Sequence, residues 1–398
     1  MKKADLPLYC LILLAAALPF KAMLSVFIIL AILATIIVQP IKTSIQNLKD
    51  RPYFILFSLV YFLYVIALIH TENMSFARRE LEFKLSFLIM PLLLGAINRF
   101  TPKKLKWILK AFVFSNVFAG IVALLVGLFN NSFSYIPTYI EYSIFLHPTY
   151  YSVYLNLSFI LLVLVLKSGF EKANKSWLFY SLAGIILLLN FLVNSKIGLA
   201  VNLLLISIFA IKFTTQFSRK KVLTILALGL IALVTIFSQV PSFKERYLYL
   251  KYIYKYNEIS NDSSESSQIR VLVWQQVFQI IDDNFWVGVG TGDTKDELMT
   301  YYKKNKITYA YQNRLNTHNQ YFECFITYGL LGFIIWIISI LFPIIKSLRG
   351  GNKVYVFFVV SVLLIFLVES FLENEAGIVF FTFFNSLLFF HSPKLDDF

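Results

Sequence analysis

The chain has 398 residues, of which 58% are hydrophobic and only 15% are charged. A soluble domain carries about 25% charged residues, and its apolar runs end after about a dozen positions, whereas runs of about 17–25 apolar residues recur along most of this sequence. The composition therefore excludes an ordinary soluble enzyme and predicts an all-α polytopic membrane protein. The formal charge of +14 does not indicate nucleic acid as a partner, because the Lys and Arg of membrane proteins accumulate in cytoplasmic loops.

The apolar runs predict about twelve transmembrane helices. They cover approximately residues 7–20, 22–39, 53–70, 85–98, 107–129, 148–166, 177–193, 197–213, 222–240, 318–345, 354–368 and 376–391. On this interpretation residues 1–240 hold the first nine helices, residues 241–316 form one long polar loop, and residues 317–398 hold the last three helices and a short cytoplasmic tail.

The distribution of Lys and Arg predicts the orientation. With the N-terminus inside, most basic residues fall in cytoplasmic segments and few in the short outer loops, while long loops cross the membrane largely regardless of charge. Both termini are therefore expected in the cytoplasm and the loop 241–316 outside. An alternative is that the first run is a cleaved secretory signal ending near Ala15 to Ala17, but the uncleaved interpretation is simpler.

The long loop contains helix signals of its own. Ser266 or Ser267 can cap an amphipathic helix, and Thr294 and Glu297 have capping-box spacing for a second one. The glycine-rich segment 288–292 between them is predicted to be a turn rather than a phosphate loop, because no strand precedes it and it lacks the required Lys. The loop is expected to form a small helical cap on the membrane.

His318 stands where this loop re-enters the membrane. A His at the start of a helix that carries Gly329 and Gly332 can be interpreted as ordinary helix packing, and the same imidazole can serve as a general base. Arg270 and Trp274 lie one turn apart on the first loop helix. A guanidinium near a helix N-terminus gains nothing from the helix dipole, so Arg270 is either a solvated surface residue or is placed for an external anion.

Further cations lie on the outer side against the positive-inside bias. Lys196 interrupts a tight hairpin between two spans, where a cation is costly unless it snorkels or finds a partner. Arg78, Arg79 and Lys84 lie close to several glutamates in sequence, so local ion pairing is expected for them. Outward-facing cations around one His suit a lipid-linked anion, with Arg or Lys holding phosphate oxygens and a neutral imidazole acting as base.

Other polar positions carry weaker signals. His147 precedes the sixth span on the outer side, and Glu369, Glu373 and Glu375 cluster after the eleventh. The tyrosine-rich stretch 247–256 is interpreted as an interfacial aromatic belt. No His, Asp or Glu group has metal-ligand spacing, and both cysteines lie in apolar runs, so neither a metal nor another cofactor is expected.

The order and spacing of several motifs indicate a family. The motifs are Arg270-Val271-Leu272-Val273-Trp274, Phe285-Trp286-Val287-Gly288-Val289-Gly290, and His318-Asn319 followed by Gly329 and Gly332. His147-Pro148-Thr149-Tyr150 and Ser195-Lys196-Ile197-Gly198 are further similarities. With its topology, the chain resembles the O-antigen ligase and O-antigen polymerase superfamily of bacterial envelope glycosyltransferases.

The resemblance implies a metal-independent, inverting transfer at the periplasmic face of the bacterial inner membrane. The donor would be a glycan on undecaprenyl diphosphate and the acceptor, in the ligases, a sugar of the lipid A core. His318 would activate the acceptor hydroxyl, while Arg270 and Lys196 would hold the diphosphate; the ligases usually carry Arg at the latter position, and Lys cannot grip phosphate through two parallel hydrogen bonds. Supporting roles are expected for Asn319, Trp274, His147 and Arg79.

The sequence leaves alternatives open. A polymerase of the same superfamily would join repeat units on the lipid carrier and would need the same cations and base; the ligase is preferred because the Arg270 and His318 segments are closer to that branch. A ligase that attaches the glycan to protein or to a different lipid is a third reading. A secondary transporter would suit twelve spans, but no half-to-half repeat is found, and a scaffold would not explain the outer cations.

Overall fold

The computed structural model describes residues 3–142, 144–213 and 266–391. The expected span at 222–240 and the tyrosine-rich stretch 247–256 lie outside the described residues. Within the described ranges the regular structure is entirely helical. The α-helices are α1 (Leu6–Ala17), α2 (Leu24–Val38), α3 (Ile41–Asp50), α4 (Tyr53–Ile66), α5 (Met74–Lys84), α6 (Ser86–Ala96), α7 (Pro102–Asn130), α8 (Pro148–Leu161), α9 (Lys167–Lys172), α10 (Ser176–Val193), α11 (Lys196–Phe213), α12 (Ser266–Asp283), α13 (Thr294–Lys304), α14 (Thr308–Gln312), α15 (Gln320–Arg349), α16 (Lys353–Phe366) and α17 (Glu375–His391).

Five helical segments in the described ranges are long and apolar enough to cross a membrane. They are Tyr53–His70, Pro102–Asn130, Pro148–Lys172, Ser176–Val193 and Gln320–Arg349. The pair α2 and α3 gives a sixth if it is counted as one span, although it is bent by 111°. Helices α1, α11, α16 and α17 are apolar but shorter, and α6 has only 11 residues with Pro91 inside it. The all-α membrane architecture is confirmed, whereas these lengths do not establish the predicted number of spans.

One end of the bundle is rich in basic side chains and is called here the basic end. It includes Lys49, Arg51, Arg99, Lys104, Lys346 and Arg349. Arg51 Nη1 donates to the carbonyls of Leu94, Gly95 and Ile97 at 3.2, 3.0 and 2.8 Å. These contacts satisfy carbonyls that the C-terminus of α6 leaves without intrahelical partners, and a cation there complements the helix dipole.

The first and last described helices meet at the basic end. Lys104, at the start of α7, donates to Asp5 at 2.5 Å, immediately before α1. The Phe100 amide donates to Nδ1 of His391, the last residue of α17, at 3.3 Å. The beginning of α1 and the end of α17 therefore lie on the same side of the bundle.

The described part of the long loop forms a helical cap, residues 266–319, at the opposite end. Its α12 and α13 cover Ser266–Asp283 and Thr294–Lys304, so both helices that the sequence predicts in the loop are present. Together with α14 they enclose a small apolar cluster, which includes Val273 and Leu298 and is completed by Ile326 of α15. The cap thus has a core of its own that is continuous with a membrane helix.

The predicted capping box at Thr294 is wrong. Asp293 occupies the N-cap position of α13, while the Thr294 hydroxyl donates to the Gly290 carbonyl at 3.3 Å. The Asp293 carboxylate accepts from the backbone amides of Glu72 and Asn73, both at 2.8 Å. Because these amides precede α5, the capping carboxylate ties the cap to that helix instead of closing α13 on itself.

The glycine-rich segment forms a backbone contact with a break in α15. The Val289 amide donates to the Ile326 carbonyl at 2.8 Å. Gly288 and Gly329 both adopt positive φ, 73° and 63°, and a Cβ on Gly288 would lie 2.5 Å from the Gly329 nitrogen. Only glycine tolerates both the conformation and this approach. The segment is a packing turn whose amides are used within the protein, as predicted.

Candidate functional site

Two adjoining cavities, which share part of their lining, open at the end of the bundle opposite the basic end. The first, the lysine cavity, has a volume of about 400 Å³ and is lined by Lys196 and Trp274 among others. The second, the histidine cavity, measures about 360 Å³ and is lined by His147, His318 and Glu369 among others. Both share Tyr139, Thr149 and Arg270. One guanidinium therefore faces a space that extends from Lys196 to His318.

His318 lies in the short loop between α14 and α15 and has a strained backbone. Its φ is 49°, a left-handed conformation that is uncommon outside glycine. Its amide donates to Asn316 Oδ1 at 3.1 Å. The next residue, Asn319, caps α15 by accepting from the amides of Tyr321 and Phe322 at 2.9 and 3.2 Å. Strain of this kind persists only where the surrounding contacts hold it. Here the hydrogen bonds of Asn316 and Asn319 hold the backbone on the two sides of His318.

Thr317, immediately before His318, is held by a buried polar cluster. Its hydroxyl donates to Glu323 Oε2 at 2.7 Å and lies 3.0 Å from Ser370 Oγ. Trp274 Nε1 donates to the Thr317 carbonyl at 2.9 Å. Contacts from α12, from α15 and from the segment after α16 thus converge on one peptide, and they fix the direction in which the imidazole leaves the backbone.

The surroundings keep the imidazole of His318 neutral. Burial has the largest effect, and the positive charge of Arg270 comes second; together with His147 and Lys295 they lower the pKa of His318 to about 4. Its Nδ1 is buried and makes no hydrogen bond with the described residues. At neutral pH the ring therefore carries an available lone pair and is suited to accept a proton.

Arg270 is surrounded by groups whose protonation it influences. Glu369 is 7% exposed, and burial raises the pKa of its carboxyl to about 7, with Arg270 acting in the opposite direction. Burial and then Arg270 lower the pKa of His147. Arg270, Glu369 and the two imidazoles line one cavity. An anion that binds Arg270 will therefore change the proton affinity of all three neighbours.

Lys196 is brought to the lysine cavity by a tight turn. Asn194 ends α10 in the left-handed conformation, with φ of 52°, and α11 begins at Lys196. Gly198 packs so closely on α8 that a Cβ would lie 1.8 Å from Ser152 Oγ. A small residue at this crossing lets the two helices approach, which places the N-terminus of α11 beside the cavity that Arg270 also lines.

The predicted site residues separate into those that the structure brings together and those that it does not. Lys196, Trp274, Arg270, His147 and His318 line the two continuous cavities. Asn319 is buried and acts on the backbone: its Nδ2 donates to the Leu367 carbonyl at 3.0 Å. Arg79 lies on the exposed face of α5 and lines neither cavity.

Local ion pairing was expected for Arg78, Arg79 and Lys84, and it is confirmed for Lys84 alone among these three. Its Nζ lies 2.8 Å from Glu373 and 3.5 Å from Glu80, and its side chain is fully buried. Arg78 and Arg79 are exposed, and neither takes part in an ion pair within the described ranges. The burial of one charge cluster explains the difference, since pairing is worth far more where water is excluded.

A third cavity, the threonine cavity, adjoins the histidine cavity. It measures about 230 Å³ and shares Asn316 and Glu373 with its neighbour. Thr291, Thr294 and Lys295 contribute to its remaining polar lining. It shares no lining residue with the lysine cavity.

Several lining residues were not among the predicted site residues. Glu369 and Glu373 carried a usable signal, because carboxylates between two apolar helices are costly and mark function or pairing. Thr149 belongs to the motif that begins at His147, whereas Tyr139 and Asn316 carried no signal, since isolated hydroxyls and amides are common. Only the folding of separate segments onto Arg270 and His318 identifies them.

Groups of three or more His, Cys, Asp or Glu side chains arranged to hold a metal ion do not occur among the described residues. The acid groups that line the histidine cavity are Glu369 and Glu373, and the second is engaged by Lys84 at 2.8 Å. The positive groups facing the site are instead those suited to an anion.

Comparison with known proteins agrees with the site geometry. Residues 178–337 match the family model described as O-Antigen ligase, a segment that contains Lys196, Arg270, Trp274 and His318. Over 379 residues the chain is 26% identical to an uncharacterized protein of Haemophilus influenzae, with 91% of each chain covered. The matched segment contains the motifs around Arg270, Gly288 and His318 and the turn that carries Lys196, whereas His147 lies outside it. Residues 178–337 of the chain are therefore similar to the O-antigen ligase family.

Proposed function

We propose that the protein is a membrane glycosyltransferase that moves a glycan from undecaprenyl diphosphate to a sugar hydroxyl of the lipid A core. The observation that carries the proposal is the position of Arg270, which lines one continuous space together with Lys196 on one side and His318 on the other. Cations suit the diphosphate, and a neutral imidazole suits the hydroxyl.

The proposed reaction is a direct displacement. The acceptor hydroxyl attacks the anomeric carbon, its proton passes to the His318 imidazole, and the bond between that carbon and the phosphate oxygen breaks. The electron pair of that bond remains on the leaving diphosphate, where Arg270 and Lys196 stabilise the developing charge. In this proposal Arg270 and Lys196 offset the charge of the diphosphate and the His318 imidazole takes up the proton, so the step does not require a metal.

Binding of the donor also tunes the base. In the free protein Arg270 helps to lower the pKa of His318. A diphosphate held against Arg270 offsets that positive charge, which raises the proton affinity of the imidazole at the moment when it is needed. Glu369 faces the same cavity and offers carboxyl oxygens for hydrogen bonds with sugar hydroxyls.

The proposed orientation places this site on the periplasmic face of the bacterial inner membrane. Its support is the basic end, where the beginning of α1 and the end of α17 meet. Excess Lys and Arg mark the cytoplasmic side, so both termini would be cytoplasmic and the cap periplasmic. The acceptor would then approach through the threonine cavity, which adjoins the histidine cavity and shares no lining residue with the lysine cavity.

A reconstituted transfer assay tests the proposal. Purified protein in lipid vesicles is given a glycan on undecaprenyl diphosphate and rough lipopolysaccharide, with EDTA present. His318→Ala and Arg270→Ala are each expected to lower turnover by at least about a hundredfold, the size of a general-base or charge-stabilisation effect. His70→Ala and Arg78→Ala remove exposed residues of the same types and serve as controls.

The products separate the possible outcomes. Glycan on the lipopolysaccharide that is lost in both site variants supports the ligase. Longer glycan on the lipid carrier, with none on the acceptor, assigns the chain to polymerisation. A wild-type protein that gives no product with a matched donor overturns the proposal and reopens transport.

A further inference from the structure

A separate cavity of about 450 Å³ lies at the basic end, on the opposite side of the bundle from His318. It is enclosed by the end of α3, the loop after α6 and the junction between α15 and α16. Its lining residues include Asp50, Arg51, Arg99, Lys346, Tyr53 and Phe389. The proposed glycosyl transfer uses none of them.

The polar lining favours an anion. Three cations, Arg51, Arg99 and Lys346, face one carboxylate, Asp50, which already accepts from Gln46 Nε2 at 2.9 Å. Burial lowers the pKa of Arg51, the neighbouring charge of Arg99 lowers it further, and Asp50 acts in the opposite direction. The charges of Arg51 and Arg99 repel each other across the cavity that both line, and an anion between them offsets the repulsion.

Arg51 is already fixed in position for such a contact. All its hydrogen bonds to the described residues use Nη1, which donates to three carbonyls at the end of α6. Nε and Nη2 remain as donors on a side chain whose rotamer is set by the fold. An anion that binds there does not have to order the arginine, which reduces the entropic cost of binding.

The other wall of the cavity is aromatic and leads to the apolar outer surface of the bundle. The Tyr53 ring lies 5.0 Å from that of Phe389 and 6.0 Å from that of Phe342, measured between centroids. Phe342 is 53% exposed on α15, and in a membrane such a face contacts acyl chains. The cationic pocket and a lipid-facing surface therefore meet at Tyr53.

We propose that this cavity binds the phosphate of an anionic phospholipid, with the acyl chains lying along Phe342. Basic pockets between helices at the cytoplasmic side recognise anionic head groups. A zwitterionic lipid would bring an ammonium group toward three cations, and free phosphate would leave the aromatic wall unused. The proposal does not depend on the glycosyltransferase activity.

Native mass spectrometry of the full chain in detergent tests this site. The protein is titrated with phosphatidylglycerol, with phosphatidylcholine of the same chains, and with glycerol 3-phosphate. Arg99→Gln together with Lys346→Gln, two exposed positions, is expected to weaken phosphatidylglycerol binding at least about tenfold, as lost charge-assisted contacts would. Lys42→Gln together with Lys103→Gln removes the same charge from exposed positions at this end outside the lining and is expected to bind as the wild type does.

Two results would overturn the proposal: equal binding of phosphatidylglycerol and phosphatidylcholine, or phosphatidylglycerol binding that the double variant retains. Binding of glycerol 3-phosphate as tight as that of the lipid would also overturn it, because the apolar wall would then contribute nothing. If the double variant does not fold, the single reversal Lys346→Glu is measured in its place, with the same expected loss.

Discussion

The Thr317 hydroxyl donates a 2.7 Å hydrogen bond to the Glu323 carboxylate, one residue before the strained backbone of His318. This bond joins the loop that carries the proposed base to the first turn of α15. Because a buried group that loses its hydrogen-bond partner costs about 1–3 kcal/mol, loss of this bond should release the loop without removing the imidazole.

Thr317→Val is therefore expected to lower kcat about ten- to a hundredfold, since a base displaced by about an ångström loses alignment. Thr317→Ser, which keeps the hydroxyl, should restore most of the activity, and this rescue distinguishes positioning from general destabilisation. Thr300→Val, at an exposed position of α13, is the control. Equal losses in the Val and Ser variants would contradict the role of the bond.

The second prediction concerns the acid limb of the activity. Because burial and Arg270 lower the pKa of His318 to about 4, the base stays unprotonated through neutral pH. The His318-dependent part of kcat/KM should fall only as pH approaches 4, about tenfold for each unit below it. Arg270→Gln removes a positive neighbour, so the acid limb of the residual activity should move to higher pH. An unmoved limb would mean that another group titrates.

Glu369 gives a third prediction. Burial raises the pKa of its carboxyl to about 7, so its charge changes within the working range. A wild-type profile should show an inflection near pH 7, and Glu369→Gln should abolish that inflection while lowering kcat/KM about tenfold through a lost charged hydrogen bond. Glu82→Gln, at an exposed position of α5, is the control. A profile unchanged by Glu369→Gln would exclude this carboxyl from the site.

Lys196 provides the fourth prediction, on the donor side. Lys196→Ala should raise the KM for the lipid-linked donor about tenfold, because one charge contact to the diphosphate is lost. Lys196→Arg keeps the charge and gains a bidentate group, so it should retain wild-type activity or exceed it. Lys303→Ala removes an exposed cation of the cap and should leave KM unchanged. A Lys196→Ala variant with normal KM would place the diphosphate elsewhere.

The fifth prediction concerns stability. Gly329→Ala would place a Cβ 2.3 Å from the Val287 nitrogen, at a φ of 63°. Strain and overpacking should cost at least about 2 kcal/mol and lower Tm in detergent. Gly184→Ala, where a Cβ meets nothing within 4 Å, is the matched control and should be neutral or slightly stabilising within α10. Equal Tm values for the two variants would contradict the close backbone contact.

The sequence predicted the elements better than their connections. The amphipathic pattern after Ser266 located α12, and the spacing of Thr294 and Glu297 located α13. Residue chemistry selected Arg270, Lys196 and His318, because cations on the outer side and a His at the membrane boundary are unusual and can be recognised from the sequence alone. It could not show that Asp293, at the N-cap position of α13, binds backbone amides about 220 residues away instead of capping its own helix. Nor could it distinguish Lys84, which is buried between two glutamates, from Arg79, which is exposed; long-range contacts decide both.

The contact between the glycine-rich segment and α15 also bears on how substrates arrive. The Val289 and Gly290 amides donate to α15 carbonyls, and the Leu330 amide donates back to the Phe285 carbonyl at 2.8 Å. Raising the cap would break this small backbone ladder and expose its amides to an apolar phase, where each lost bond is costly. For the donor proposed above, a rigid cap would leave a sideways path between helices, in which the polyprenyl chain would stay in the bilayer while the diphosphate reached Arg270.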